Sequence, residues 1–323
     1  MSSGELEADS PFARRFAAYL AERFPLVRHG VLIFAYSSSN QFLARALTEP
    51  GAPMRWDRTS LLGALTLLLF FFHLRVFDEH KDAEEDRRNH PDRLLSRGVI
   101  SLAELRALGA VAVLGEIALS IAAGPTALLA WLAAFLFSLL MLAEFFVGRR
   151  LREQLLTYAA LHMLIMPLLA AMIFSFATER PFYRAPIWFW VYAVVGFFVT
   201  FNWEISRKIR APEEEREGVQ SYTREWGTHG AAWAVVAVRA IDTALVAAVG
   251  WRLHLPGWFY LALVALYGVC LLGFVQFLRR PNRVHARRME LYAGAYIVAF
   301  DLILAAALAT RFGLVLPGGG RVG

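Results

Sequence analysis

Apolar residues fall into nine successive runs, at about 26–48, 59–77, 99–122, 125–147, 154–177, 185–205, 230–251, 256–278 and 290–312. A helix of roughly 20 apolar residues crosses a hydrocarbon core, and backbone in lipid must satisfy its own hydrogen bonds, which leaves helices for runs of this length. The second run is typical: Leu61 to Phe72 is rich in leucine and phenylalanine, and no charge follows until Arg75. The pattern predicts an all-α fold, a polytopic membrane bundle of about nine transmembrane helices. It divides the chain into an N-terminal segment (1–25), a transmembrane domain (26–313) and a flexible, glycine-rich tail (314–323). Pro167 is expected to kink the fifth run, and Pro212 to break the connection after the sixth.

Composition strengthens this picture. The 323 residues are 58% hydrophobic with a mean hydropathy of +0.46, beyond what one soluble core of this length needs. The opening Met1 to Ser10 is polar and acidic, unlike a cleavable signal. The single cysteine, Cys270, excludes an intrachain disulfide framework.

The net charge is +6, and only Lys81 and Lys208 are lysines. Basic residues crowd alternate connections: Arg14, Arg15, Arg23 and Arg28 before the first run, then 78–98, 148–153, 206–229 and 279–289. The intervening connections are poor in them. This alternation follows the positive-inside rule and predicts that the N-terminus and the charged loops are cytoplasmic. It accounts for the basic excess without a nucleic-acid partner.

Two of these loops are also acidic. The first, Asp78-Glu79-His80-Lys81-Asp82-Ala83-Glu84-Glu85-Asp86, continues the second run. On a helix Asp78, Asp82, Glu85 and Asp86 stand three and four residues apart, with Glu79 on much of the same face. Like charges so placed need solvent, arginine partners or a cation. The second loop, from Glu204 through Arg207, Lys208, Arg210 and Glu213–Glu215, continues the sixth run on the same predicted side. A solvated loop that sets topology is one reading. Paired carboxylate loops at the mouth of a bundle also suit a diphosphate, with Mg²⁺ bridging carboxylate and phosphate oxygens and Lys and Arg donating to the rest.

At this point the sequence resembles the UbiA superfamily of intramembrane prenyltransferases. The family's first motif, Asn-Asp-x-x-Asp-x-x-x-Asp, is matched by Asp78-Glu79-x-x-Asp82-x-x-x-Asp86, and the stretch that follows by Arg93-Leu-Leu-Ser-Arg-Gly98-Val-Ile-Ser101. The second motif, Asp-x-x-x-Asp before a glycine, aligns with Arg210 and Glu214 ahead of Gly218-Val-Gln-Ser-Tyr-Thr223, so its first acid is missing. Glu204 is the candidate replacement. The family's Tyr-x-x-x-Lys element corresponds to Phe145-x-x-x-Arg149 or Phe146-x-x-x-Arg150.

The resemblance implies a central cavity capped by the charged loops, Mg²⁺, a polyprenyl diphosphate donor, and a hydrophobic acceptor, aromatic or lipid, drawn from the bilayer. It implies catalytic and metal roles for Glu79, Asp82 and Asp86, metal roles for Glu214 and Glu204, and donor contacts for Asp78, Lys81, Arg93, Arg149, Lys208 and Arg210.

Within the spans, Tyr36-Ser-Ser-Ser-Asn40-Gln41 is either an acceptor-binding wall, with Asn40 its contact, or helix packing through small residues. Glu116, Glu144, Arg239, Asp242 and Asp301 are intramembrane or interfacial charges, and the spacing of Arg239 and Asp242 predicts a pair. The eight histidines show no paired metal-ligand spacing. Alternative activities are a membrane terpene cyclase using the same ionisation, and a transporter or binding protein without catalysis. The sequence fixes neither the acceptor nor the oligomeric state.

Overall fold

The computed structural model describes residues 6–216, 219–315 and 321–322, and of Arg149, Arg321 and Val322 the backbone only. Thirteen α-helices are described: α1 (Phe12–Arg23), α2 (Leu26–Thr48), α3 (Arg58–Lys81), α4 (Ala83–Asn89), α5 (Leu102–Ala123), α6 (Pro125–Leu142), α7 (Gly148–Arg152), α8 (Leu155–Met163), α9 (Ile165–Thr178), α10 (Ile187–Arg207), α11 (Tyr222–Arg252), α12 (Gly257–Arg279) and α13 (Arg283–Phe312).

Eight helical segments among the described residues are long and apolar enough to cross a membrane: α3, α5, α6, α8 with α9, α10, α11, α12 and α13. The segment expected first, α2, is long enough at 23 residues but carries the polar run Tyr36–Gln41. That run is buried, and α2 packs inside the bundle against α13, α9 and α3. The long helices form a closed ring in which neighbours touch in the order α2, α3, α5, α6, α9, α10, α11, α12, α13 and back to α2. Contacts of α9 with α2 and α3, and of α10 with α13, cross the ring and fill its middle.

Local chemistry sets the helix starts. The Asp57 side chain caps α3 by accepting from Ser60 N at 3.0 Å. Ser101 and Glu104 form a capping box on α5. Ser221 caps α11 and Asn282 caps α13. The fifth run is interrupted at Leu164, between α8 and α9, rather than continuous. Pro167 sits in the first turn of α9, where its missing N–H costs least, and it deprives the carbonyl four residues earlier of a donor. Gly227 (φ 70°, ψ 166°) breaks α11 after its first turn, a conformation that favours glycine.

At the end of the bundle away from the acidic loops, Arg45 is buried against Asp57 (2.5 Å) and Glu49 (3.6 Å). There β2 (Leu314–Val315) pairs parallel with β1 (Met54–Arg55) and antiparallel with β3 (Arg321–Val322). The segment after α13 therefore folds back onto the connection between α2 and α3.

A central cavity capped by the charged loops was expected, and two small hollows are found inside the bundle. One, too tight for a water molecule, is lined by Tyr36, Asn40, Tyr192, Ala193, Gly196 and Phe300, and the other, of about 10 Å³, lies beside Asn202, Arg239 and Cys270. Aromatic side chains occupy the middle: Phe174, Phe189, Tyr296 and Phe300 are all within the buried core.

Candidate active site at the charged end of the bundle

The first acidic loop is not one continuous helix. Asp82 closes α3 with φ −102° and ψ 6°, and α4 starts afresh at Ala83. The break separates carboxylates that a continuous helix would have stacked on one face.

Glu79 faces α1. It is 2% exposed, accepts from Arg23 Nε at 2.6 Å, and lies 3.5 Å from the Tyr19 hydroxyl. Asp86 lies beneath the same guanidinium (Arg23 Nη2 at 3.5 Å) and pairs with Arg93. Asp78 faces the other way, 3.3 Å from Lys81 Nζ and 3.8 Å from Arg75. Asp82 has no salt-bridge partner within 4 Å among the described residues, and burial pushes its carboxyl up to about 6 against the opposing pull of Lys81.

Lys81 and Asp82 meet the start of α8. The Lys81 ammonium is buried, 5.5 Å from the centre of the Tyr158 ring. That ring stacks on His162, one turn further along α8, at 4.1 Å. Arg152 lies within electrostatic reach of Asp82 and Tyr158 and is anchored by Glu144 at 2.7 Å. The reversal that brings α7 and Arg152 back over the loop runs through Glu144, Phe145 and Phe146, all at positive φ (46°, 54° and 61°). Three consecutive left-handed non-glycine residues are costly and persist only where the surroundings impose them.

The C-terminal end of α10 completes the cluster. Glu204 is buried, paired with Arg207 and 3.0 Å from Lys208. Arg207 lies over the Trp203 ring at 5.1 Å and within electrostatic reach of Asp78. Beyond Pro212, which opens a single 3₁₀ turn, Glu214 pairs with Arg283 Nε at 3.0 Å. Glu215 accepts from Ser221 and Thr223, fastening the loop to α11. Arg210 turns away: its backbone N–H donates to Thr223 and its guanidinium to the Arg207 carbonyl.

The carboxylates anticipated as metal ligands in the two loops take different partners. Among the described residues no three His, Cys, Asp or Glu side chains converge on a point that could hold a metal ion. Glu79 and Asp86 go to α1, Glu214 goes to α13, Glu204 to its own helix, and Asp82 with Asp78 stays at the centre. The physical reason is the supply of guanidinium and ammonium groups, which pair with most of the carboxylates. Gly218, used to align the second motif, and the Arg149 side chain lie outside the described residues.

Sequence reasoning missed Arg23, Tyr158, Arg152 and Arg207. A signal existed for one of them: Tyr158 and His162 stand four apart on the first turns of an otherwise apolar run. Asn40 lies deep in the bundle at the edge of the smaller hollow. It donates to the Tyr36 carbonyl at 2.8 Å, and its buried Oδ1 has no partner among the described residues. Arg239 and Asp242 pair as expected, at 2.9 Å. Asp301 accepts from Ser39 and Tyr192. His73 is held by Glu116 at 2.7 Å.

Comparison with known proteins agrees with the fold. No curated protein matches the chain in sequence. Among solved structures, a digeranylgeranylglyceryl phosphate synthase in membranes aligns with a TM-score of 0.60 at 17% identity, over 92% of this chain and 99% of its own. An apo UbiA homologue from Aeropyrum pernix K1 aligns with 0.59 at 17% identity, over 87% and 97%. A UbiA homologue from Archaeoglobus fulgidus bound to GPP and Mg²⁺ aligns with 0.55 at 16% identity, over 88% and 99%. These identities speak to fold alone. The profile of the UbiA prenyltransferase family matches residues 33–309, from α2 to the last turns of α13, and so takes in both acidic loops but not α1. This integral, multi-pass membrane protein belongs to the UbiA prenyltransferase family.

Proposed function

We propose that the chain is a Mg²⁺-dependent intramembrane prenyltransferase that moves a polyprenyl group from an allylic diphosphate to an aromatic or lipid acceptor in the bilayer, with its charged end in the cytoplasm. The observation that carries this reading is the meeting of α3, α8 and α10 at one end of an apolar bundle. It groups Lys81, Asp82, Arg152 and Tyr158, with Arg207 within electrostatic reach of Asp78. The GPP and Mg²⁺ of the Archaeoglobus fulgidus homologue support the choice of donor and metal.

The residues present fit Mg²⁺ at Asp82 and Asp78. Both offer carboxylate oxygens, the donors this hard ion takes, and Asp82 is without an ion-pair partner among the described residues. Bound there, Mg²⁺ supplies positive charge to the departing diphosphate. Lys81, Arg152 and Arg207 donate to the remaining phosphate oxygens. Glu144 holds Arg152 in place, and the Tyr158 ring limits where the Lys81 ammonium can point. In the reaction, the donor's C1–O bond breaks with its electron pair going to diphosphate. The nucleophilic atom of the acceptor then bonds C1 and gives up its proton, which the departed diphosphate takes. The apolar walls below the site keep water from the allylic cation.

The test is diphosphate release by purified protein with Mg²⁺ and geranyl or longer prenyl diphosphates, with and without a membrane-lipid extract. Release that requires the extract is the expected result. Release without it, with a cyclic product, would instead make the protein a cyclase. No release with any donor would refute the enzyme.

A further inference from the structure

The first acidic loop already holds a cation of its own. Arg23, at the end of α1, places Nε 2.6 Å from Glu79 and Nη2 3.5 Å from Asp86. Arg93 closes on Asp86 from within the loop, and the Tyr19 hydroxyl lies against Glu79. Glu79 is almost fully buried in this contact. The motif therefore has two faces. Asp78 and Asp82, one helical turn apart, look towards Lys81, Arg152 and α8. Glu79 and Asp86 look towards α1.

Several separate attachments fix α1. Arg15 makes a bidentate pair with Glu104 (2.8 and 3.1 Å) and donates to the Val99 carbonyl at 2.9 Å. Glu22 accepts from Leu94 N at 3.2 Å. Phe24 packs edge-on against Phe72, and Tyr19 and Phe24 are buried with Val76, Leu94 and Leu105. A guanidinium held in this way is charged at every accessible pH and presents several N–H groups to carboxylates on two sides.

Resting on the function proposed above, we propose that Arg23 is a built-in cation of the first acidic loop: with Arg93 it holds Glu79 and Asp86, so that a metal ion is taken by Asp82 with Asp78 and not by Glu79 or Asp86. Arg23 is a positioning residue. It orders the loop that presents Asp82 and occupies the charge of two carboxylates that would otherwise draw in a further divalent ion.

The probe is Mn²⁺, counted by electron paramagnetic resonance on the full chain in detergent with inorganic pyrophosphate present. Asp82→Asn is expected to weaken Mn²⁺ binding at least tenfold, and Glu79→Gln to leave it within twofold. Arg23→Gln is expected to add one bound Mn²⁺ per chain, whereas Arg23→Lys is not. Glu79→Gln weakening Mn²⁺ as much as Asp82→Asn does, or Arg23→Gln binding no more Mn²⁺ than the unaltered chain, would overturn the inference. The double variant Arg23→Gln with Glu79→Gln removes both charges together. It guards against misfolding from one buried, unpaired group and is expected to bind Mn²⁺ as the unaltered chain does. Failure of the proposed function shows separately, as no Mn²⁺ bound by the unaltered chain, and takes this inference with it.

Discussion

Replacing Lys81 by methionine removes the ammonium at the centre of the cluster and keeps most of its apolar stem. Its side chain is only 8% exposed, with Asp78 at 3.3 Å and the Tyr158 ring at 5.5 Å. A unit charge pair about 4 Å apart is worth roughly 4 kcal/mol at an effective dielectric of about 20. Asp78 already shares the Lys81 charge, so part of this is offset before a diphosphate arrives. A charged hydrogen bond contributes about 1.5–3 kcal/mol net, and about 2 kcal/mol corresponds to roughly 30-fold in rate. The expected outcome is therefore a kcat/KM for prenyl diphosphate, measured by diphosphate release, about 30-fold below the unaltered chain. Lys81→Arg should recover most of it. The fold should hold, because Asp78 keeps solvent and Arg75 as partners and the methionine fills most of the space of the lysine stem. Activity within threefold for Lys81→Met, with an unchanged melting temperature, would refute the placement of the diphosphate at this cluster.

Three other outcomes follow from contacts away from the site. Glu116→Ala deprives the buried His73 ring (2.7 Å) and the Trp131 N–H (2.8 Å) of their shared acceptor. Leaving such groups unpaired costs about 3 kcal/mol, which thermal unfolding in detergent should read as a clear fall in midpoint. An unchanged midpoint would mean the pair adds nothing. Burial works to raise the Asp57 carboxyl, but hydrogen bonds from Ser60 and the Arg45 guanidinium outweigh it and leave its pKa lowered. The stability it supplies is thus present above the ordinary carboxylate range and lost as pH falls through the lowered folded value. Asp57→Asn keeps the helix cap, so it should be less stable than the unaltered chain at pH 7, with the gap closing below about pH 4. A gap independent of pH would exclude the charge as its cause. Finally, tags inserted after Asp92 and next to Val219 should report the same, cytoplasmic side, and a tag at the C-terminus the opposite one. Opposite readings from the two loops would break the proposed orientation.

The spans were legible because apolar run length is a constraint imposed by lipid and is independent of tertiary detail. The breaks were less so. Pro167 announces the interruption of the fifth run, but no glycine or proline marks the helix end at Asp82, and near Glu144 only Gly148, four residues on, does so. Those two breaks decide which carboxylates face the site. The extra cations were harder still. Arg23 is 56 residues from Glu79 in sequence, and α1 has too few turns and too much charge to read as part of a membrane bundle. Its role exists only once α1 docks on Phe72 and Val76. Asn40 and Asp301 could be recognised as buried polar groups from their place in apolar runs. Their partners came from helices far apart in sequence and could not.

Two departures from the family pattern act in the same direction. The second motif has an arginine, Arg210, where its first acid would stand, and its remaining acid, Glu214, is taken by Arg283. The first motif keeps its acids, but Arg23 and Arg93 take two of them. A divalent ion together with one carboxylate carries the same net charge as one guanidinium. On the proposed reading, exchanging the first for the second leaves the field at the diphosphate almost unchanged. It replaces an exchangeable ion with a group fixed to the chain. The exchange works for charge neutralisation, which is long-ranged, but not for direct bridging of phosphate oxygens, which needs open coordination positions. On the proposed reading, bridging therefore falls to the one place in the first motif where a carboxylate has no guanidinium within 4 Å among the described residues. That place is Asp82, at the break between α3 and α4, next to Lys81 and facing the start of α8.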